Sequence, residues 1–399
     1  MSKWSFLLTF KFNFMCKSFL KKSWLALSMS IFTFIKVFAQ QEVNTITTAV
    51  PFLMIAPDAQ ASGMGDVGAA TTADANSIYW NPAKLAFIQK NMGLSLSYSP
   101  WLRTIAPDMN LAYISMYKKS GKQTFGVSGK FFSLGDMVYN DSAGSITREY
   151  HPFEYAFDLA YARKLSEHIS GGVAFRYIYS NLAGSSAING VTYKPGTSIA
   201  GDVSMYYHTS LTEKTSFAFG TNISNIGSKI SYSDYSQADF IPTNLKLGTS
   251  IKETISKNHV IEIAFDANKL LVPTPPLYDS NGAIVSGMNP NVSVMQGMIQ
   301  SFYDAPRGFK EELQEISYSV GIEYLAFHTL ALRTGYFYEN PYKGDRQFIT
   351  LGAGVNYKFL TFDFSYYLPT NGYSPLDNTM KFSLACNIDR LFTKKEKSI

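Results

Sequence analysis

The sequence predicts an all-β protein, a transmembrane antiparallel up-and-down β-barrel of about 14 strands behind an N-terminal plug. Three observations carry this expectation. From residue 92 onward, short segments alternate apolar and polar side chains. The gaps between those segments alternate in length, long then short, with 341–345 the one short exception. No stretch after residue 40 is apolar enough for long enough to cross a bilayer as a helix.

The segments are 92–98, 109–118, 123–132, 152–164, 170–180, 197–209, 214–224, 243–252, 258–268, 315–326, 328–340, 346–358, 360–368 and 378–388. In the fourth, Phe153, Tyr155, Phe157, Leu159 and Tyr161 share one face, and Glu154, Ala156, Asp158 and Ala160 the other. In the thirteenth, Phe362, Phe364, Tyr366 and Leu368 oppose Thr361, Asp363, Ser365 and Tyr367. Side chains on a strand point to opposite faces in turn, so each segment has a greasy face and a wet one. A membrane barrel turns the greasy face to lipid. On that facing Asp158, Arg176, Asp202, Glu262, Asp266, Glu323, Arg333 and Asp363 line the lumen as a polar network, with Asp136 and Lys130 beside them. Gaps such as 119–122 and 253–257 suit periplasmic turns; 133–151, 181–196 and 269–314 suit outer loops. An even strand count returns both ends of the chain to the periplasm.

Residues 1–39 read as a signal peptide. Lys17, Lys21 and Lys22 precede an apolar run over 24–35, and Val37, Phe38 and Ala39 suit cleavage before Gln40. Met15 is an alternative start, and Cys16 falls in the removed part. Cys386 then stands alone, so no internal disulfide forms. A charged fraction of 16% and a net charge of +5 come with no concentrated basic face, so nucleic acid is not an expected partner.

Residues 40–91 do not alternate and are too apolar for a free tail, which reads as a plug in the barrel mouth. Gly63, Gly65 and Gly68 lack the preceding strand and the lysine of a phosphate loop. Asn81-Pro82 marks a turn into a short helix. Asp58, Asp66 and Asp74 could pair with lumen cations. The five histidines, His151, His168, His208, His259 and His328, are scattered without metal-site spacing. No catalytic group, metal or cofactor is expected, and residues 389–399 form a periplasmic tail after the barrel, 92–388.

The Trp80-Asn81-Pro82-Ala83 run resembles the hatch motif of FadL-like outer-membrane barrels. The stretches 50–59, 63–70 and 74–84 resemble the PorV family more specifically. So do Tyr98-Ser99-Pro100-Trp101-Leu102-Arg103, Asn222-Ile223-Ser224-Asn225-Ile226-Gly227, Asp239-Phe240-Ile241-Pro242-Thr243-Asn244-Leu245 and the strings at 268–276, 300–306 and 308–315. The resemblance implies an outer-membrane shuttle of the Bacteroidetes type IX secretion system. Such a shuttle takes secreted cargo with a C-terminal signal domain from the translocon to a sortase-bearing attachment complex that joins the cargo to lipopolysaccharide. It lies in membrane lipid and does no covalent chemistry itself.

Two outer loops are candidate docking surfaces under that reading. The first offers Trp101 and Leu102. The second, 269–314, offers Leu271, Val272, Pro273, Pro275 and Pro276 in an extended piece, then Met295, Met298, Phe302 and Tyr303, with 308–315 as a short acidic helix. Prolines present apolar groups at low entropic cost, and Met and aromatic side chains suit an adaptable interface. A plainer reading has the loop fold over the mouth and cap its own core. The competing functions are a FadL-like transporter of hydrophobic small molecules and, further off, a lipid A deacylase built on Ser and His.

Overall fold

The computed structural model describes residues 43–389 except 104, 141–143, 183, 185, 189–190, 234–237 and 373. The expected signal peptide with Met15 and Cys16, and the tail from residue 390, lie outside the described residues. Fourteen strands close into one antiparallel barrel. They are β1 Met92–Pro100, β2 Asn110–Ser120, β3 Gln123–Ser133, β4 Phe153–Lys164, β5 Ile169–Asn181, β6 Gly196–Ser210, β7 Thr215–Gly227, β8 Asn244–Ser256, β9 His259–Leu270, β10 Ile316–Ala326, β11 Leu330–Tyr338, β12 Gln347–Tyr357, β13 Leu360–Pro369 and β14 Met380–Asn387. Each strand pairs with its neighbour in sequence. The ring shuts where Gly93 meets Asn387 and Tyr98 meets Phe382.

The facing follows the side-chain alternation. On β5, Val173, Phe175 and Tyr177 are 49%, 49% and 36% exposed, while Ala174, Arg176 and Ile178 between them are buried. Every backbone group of a closed barrel can pair within the sheet, which is why this wall suits a bilayer. Turns at one rim are tight, as at Gly121, where φ is +59°. Three of the long outer loops carry hairpins that the sequence pattern does not reveal. They pair Met137–Asn140 with Ile146–Tyr150, Ser186–Ile188 with Val191–Tyr193, and Leu277–Tyr278 with Ile284–Ser286.

The plug fills the ring. It holds a 3-10 turn over Pro51–Met54, the short helices α1 Ala59–Ser62 and α2 Ser77–Trp80, and a second 3-10 stretch over Pro82–Phe87. Its apolar side chains pack against inward wall residues. Phe52 and Leu53 join Leu111, Phe132 and Ile178, and Ile78 and Leu85 join Tyr117 and Ala162. Close approach needs wall positions without side chains. A Cβ on Gly220 would stand 2.0 Å from the Ala69 carbonyl oxygen, and one on Gly335 would stand 2.2 Å from the Met64 carbonyl carbon.

One expectation needs correction. β1 begins and β14 ends at the inner rim, as an even count requires, but the segment before β1 does not stay there. The Asn44 side chain donates to the Pro275 carbonyl and to Glu311 in the outer loops, and its N–H donates to the Tyr342 carbonyl. The chain therefore passes through the lumen once before the first wall strand. Strand counting sees only the wall and cannot register a crossing made by irregular backbone.

Gly335→Val should lower the temperature at which the barrel loses its compact gel migration, by an overpacking penalty of about 1–3 kcal/mol or more. Gly129→Ala faces lipid, meets only the Ile114 side chain at 3.4 Å, and should leave that temperature unchanged.

Candidate functional site

The hatch motif is a clasp inside the plug. Asn81 accepts from the Ala83 N–H with its carbonyl and donates to the Ala69 and Met205 carbonyls at 2.9 and 3.2 Å. Pro82 opens the 3-10 turn, where a missing N–H costs nothing. Ala83 is fully buried under Gly172, where a Cβ would come within 2.4 Å of the Ala83 nitrogen. Trp80 donates to Asp58 at 2.7 Å, and the other Asp58 oxygen caps α1 through the Ala61 N–H.

The lumen side chains divide into two groups. One group makes buried ion clusters. Arg176 bonds Asp158 at 2.6 Å and Asp202 at 3.2 Å and also reaches Asn225. Arg333 bonds Glu323 at 2.6 Å and Asp363 at 2.7 Å. The other group holds plug backbone. Asp266 accepts from the Gly68 and Ala69 N–H groups at 2.8 and 3.0 Å, and Glu262 takes the Thr72 N–H and hydroxyl. Lys381 donates to the Ala56 carbonyl, Ser62 and Tyr367, while Lys130 donates to the Leu53 and Ile55 carbonyls. Of the plug acids, Asp66 accepts from Tyr367 rather than from a lysine, and Asp74 bonds Ser77 within the plug. Asp136 departs from its expected place. It lies past the end of β3, exposed in the outer loop beside His151, because the chain leaves the wall at Ser133.

The loop between β9 and β10 is a folded unit carrying helices α3 Val294–Gln300 and α4 Phe309–Gln314. Its underside is ionic. Lys269 bonds Glu312 and Glu315 at 3.0 and 2.7 Å, and Lys343 from the next outer loop bonds Glu311 and Glu315 at 2.7 and 3.0 Å. Burial works to raise Glu311, but the bonds from Lys343 and the Arg307 N–H outweigh it and hold that carboxyl low. Burial raises Asp304 to about 6 against the bonds from Thr274 and Gln300.

The expected docking side chains separate here. Leu271, Val272, Pro273, Pro276 and Met298 are buried, and Pro275 is half-buried, so that stretch is the inside of the loop and offers no surface. An extended proline-rich piece reads the same from sequence whether it lies over or under its neighbours. Trp101 and Leu102 are half-buried, and Trp101 packs on the plug cluster around Phe52. Met295, Phe302 and Tyr303 are 61%, 50% and 61% exposed. Sequence reading missed the full extent of this face. Ile299, which the sequence places in the same loop, is exposed, and so are Phe309 and Leu313, whose four-residue spacing was the available signal.

Three spaces follow one another along the lumen. An outer vestibule of about 310 Å³ lies between the plug and the outer loops. A void of about 10 Å³ among Met64, Trp80 and Lys84 is too small to matter. A cleft of about 390 Å³ opens at the inner rim by Phe87, Tyr206 and Lys252. Among the described residues no cluster of His, Cys, Asp and Glu could hold a metal ion. The hydrogen-bonded histidine rings meet Asp136, the His208 carbonyl, Tyr324 and the Lys257 carbonyl.

Arg176→Met should strip the counter-charge from two buried carboxylates and cost about 3–5 kcal/mol, read as earlier loss of heat-resistant gel migration. The loop should also respond to pH. Asp304 binds its proton more readily folded than unfolded, so its contribution is full below the ordinary aspartate value of 3.8, falls as pH rises from there, and is gone once pH passes about 6. Proteolytic nicking between residues 271 and 315, measured at pH 5 and pH 8, should be slower at pH 5.

The type IX secretion system protein PorV family model matches residues 38–277, more than half of the 399 residues. Among solved structures, the chain is similar to the toluene transporter TodX of Pseudomonas putida at 10% identity, over 83% of this chain and 98% of that one, with a TM-score of 0.48. It is similar to the toluene transporter TbuX of Ralstonia pickettii at 10% identity, over 82% and 97%, with a TM-score of 0.45. It is also similar to a FadL homologue of Pseudomonas aeruginosa at 12% identity, over 86% and 99%, with a TM-score of 0.41. None of the curated proteins searched matches it. On its sequence match and its fourteen-stranded wall, this chain belongs to the PorV family of outer-membrane type IX secretion system proteins.

Proposed function

We propose that the protein is the cargo shuttle of its secretion system. It takes up secreted proteins by their C-terminal signal domain at the translocon and delivers them to the sortase-bearing attachment complex. The observation that carries this reading is the outer face of the loop between β9 and β10. Met295, Ile299, Phe302, Tyr303, Phe309 and Leu313 are all exposed there, on α3, the turn that follows it and α4, and α4 is clamped from below by buried lysine–glutamate bonds. An apolar face of this kind, held rigid and turned away from the lipid belt, suits a protein partner. Met and aromatic side chains adapt to cargo of varied sequence. The lipid-facing wall leaves the whole body free to diffuse in the membrane plane between two machines.

The filled lumen weighs against the alternative, a transporter of hydrophobic small molecules. Plug backbone crosses the ring where Met64 and Ala69 press on Gly335 and Gly220. A secretion component of this kind performs no bond chemistry.

Affinity isolation of the intact protein from outer membranes tests the proposal. Proteins sharing one C-terminal domain should co-purify, and the double variant Ile299→Asp, Phe302→Asp should lose them while keeping its heat-modifiable migration. Co-purified fatty acid or aromatic hydrocarbon with no protein partner would overturn the proposal.

A further inference from the structure

The outer vestibule has an uneven set of unused hydrogen-bond valences. Its acids are engaged. Asp66 accepts from Tyr367, Glu315 takes Lys269, Lys343 and Thr274, and Glu339 holds Arg346 through both oxygens. Three of its cations are engaged as well, Arg176 with Asp158 and Asp202, Lys343 with the loop glutamates, and Arg346 with Glu339. Lys246 is different. Its Nζ stands 4.3 Å over the Trp80 ring, and among the described residues it meets no hydrogen-bond acceptor or ion-pair partner. The Tyr79 hydroxyl and the Asn268 side-chain N–H groups line the same space, and neither donates to an acceptor among the described residues. What remains on the vestibule walls is one positive charge and these donor groups, with the Asn222 Oδ1 as an unpaired acceptor beside them.

We propose that this vestibule receives the terminal carboxylate of a peptide, with Lys246 as its counter-charge and Tyr79 and Asn268 as hydrogen-bond donors. The site rests on the shuttle reading, since a signal domain at the end of a cargo chain brings such a carboxylate to the outer face. The size fits. A volume of about 310 Å³ holds on the order of ten waters and lies at the lower end of ligand-sized cavities. The walls fit as well, because apolar Ile46, Leu53 and Leu270 line the space together with the side-chain amides of Asn222, Asn244 and Asn268, as a short peptide end requires. A compact inorganic anion would satisfy Lys246 but leave those apolar groups facing water. Sequence reading passed over Lys246, although its place between Leu245 and Leu247 turns it inward by simple alternation.

Trp80 reports on the site directly. In protein purified from outer membranes with W101F, Trp80 is the only tryptophan beyond residue 24. Acetyl-trialanine with a free carboxylate should give a saturable change in its fluorescence. The C-terminal amide of the same peptide should bind about tenfold more weakly or worse, the loss expected for one charge-assisted hydrogen bond. Lys246→Gln should erase the difference between acid and amide, and Lys246→Arg should restore it. The proposal falls if the wild-type side chain gives no saturable response, if acid and amide titrate alike, or if K246Q titrates like its parent. It falls too if inorganic phosphate competes as strongly as the peptide, which would mark a site for small anions. Cargo that fails to co-purify while the peptide titrates as expected would sink the shuttle reading alone. Cargo that binds regardless of its terminal carboxylate would sink the vestibule alone.

Discussion

The structure turns on one constraint, that irregular backbone enclosed at membrane depth has no water to bond to. Sheet and helix satisfy their own N–H and C=O groups, and the plug does neither for most of its length. The wall takes the role of solvent. Asp266 and Glu262 accept from plug amides, Lys381 and Lys130 donate to plug carbonyls, and Ser204 and Ser170 meet the two sides of Ala83 at 3.0 and 2.7 Å. Partners come from strands all around the ring, so the plug has one seating in the barrel.

Several other features follow from that seating. Side-chain donors and acceptors reach the plug only if the wall comes close, and glycine at inward positions allows it. The arginines drawn inside balance locally, because burying an unpaired ion costs more than most contacts return. Arg176 and Arg333 each sit between two carboxylates. The same logic extends to the outer rim, where Lys269 and Lys343 hold α4 through its glutamates. That leaves the loop's apolar residues divided between a packed underside and an open top.

Much of this was legible in the sequence, for a physical reason. A strand with lipid on one side and protein or water on the other has to alternate, so wall strands and their facing declare themselves in the residues. Glu154 and Asp158 against Phe157 and Leu159 on β4 are a clear case. Asn81-Pro82 was readable as a turn because proline and asparagine carry local geometry with them. Loops obey no such period. Leu271, Val272 and Met298 pack inward while Met295 and Phe302 point out, and nothing in composition separates them. Asp136 was misjudged because alternation was extended past the point where the strand ends. The passage of residues 44–50 across the outer mouth was invisible for the same reason, since irregular backbone leaves no repeating trace.

That passage bears on how the molecule is built. Asn44 is bonded at the outer mouth, yet Met92 starts the first wall strand at the opposite rim. A chain threaded along the axis in this way cannot be inserted into a finished cylinder without drawing one end through it. The plug formed by the residues before the wall is also tied to the seam, because the chain that leaves it runs straight into β1, the strand that closes on β14. Any displacement of the interior would pull on the one junction of the ring that joins the two ends of the wall.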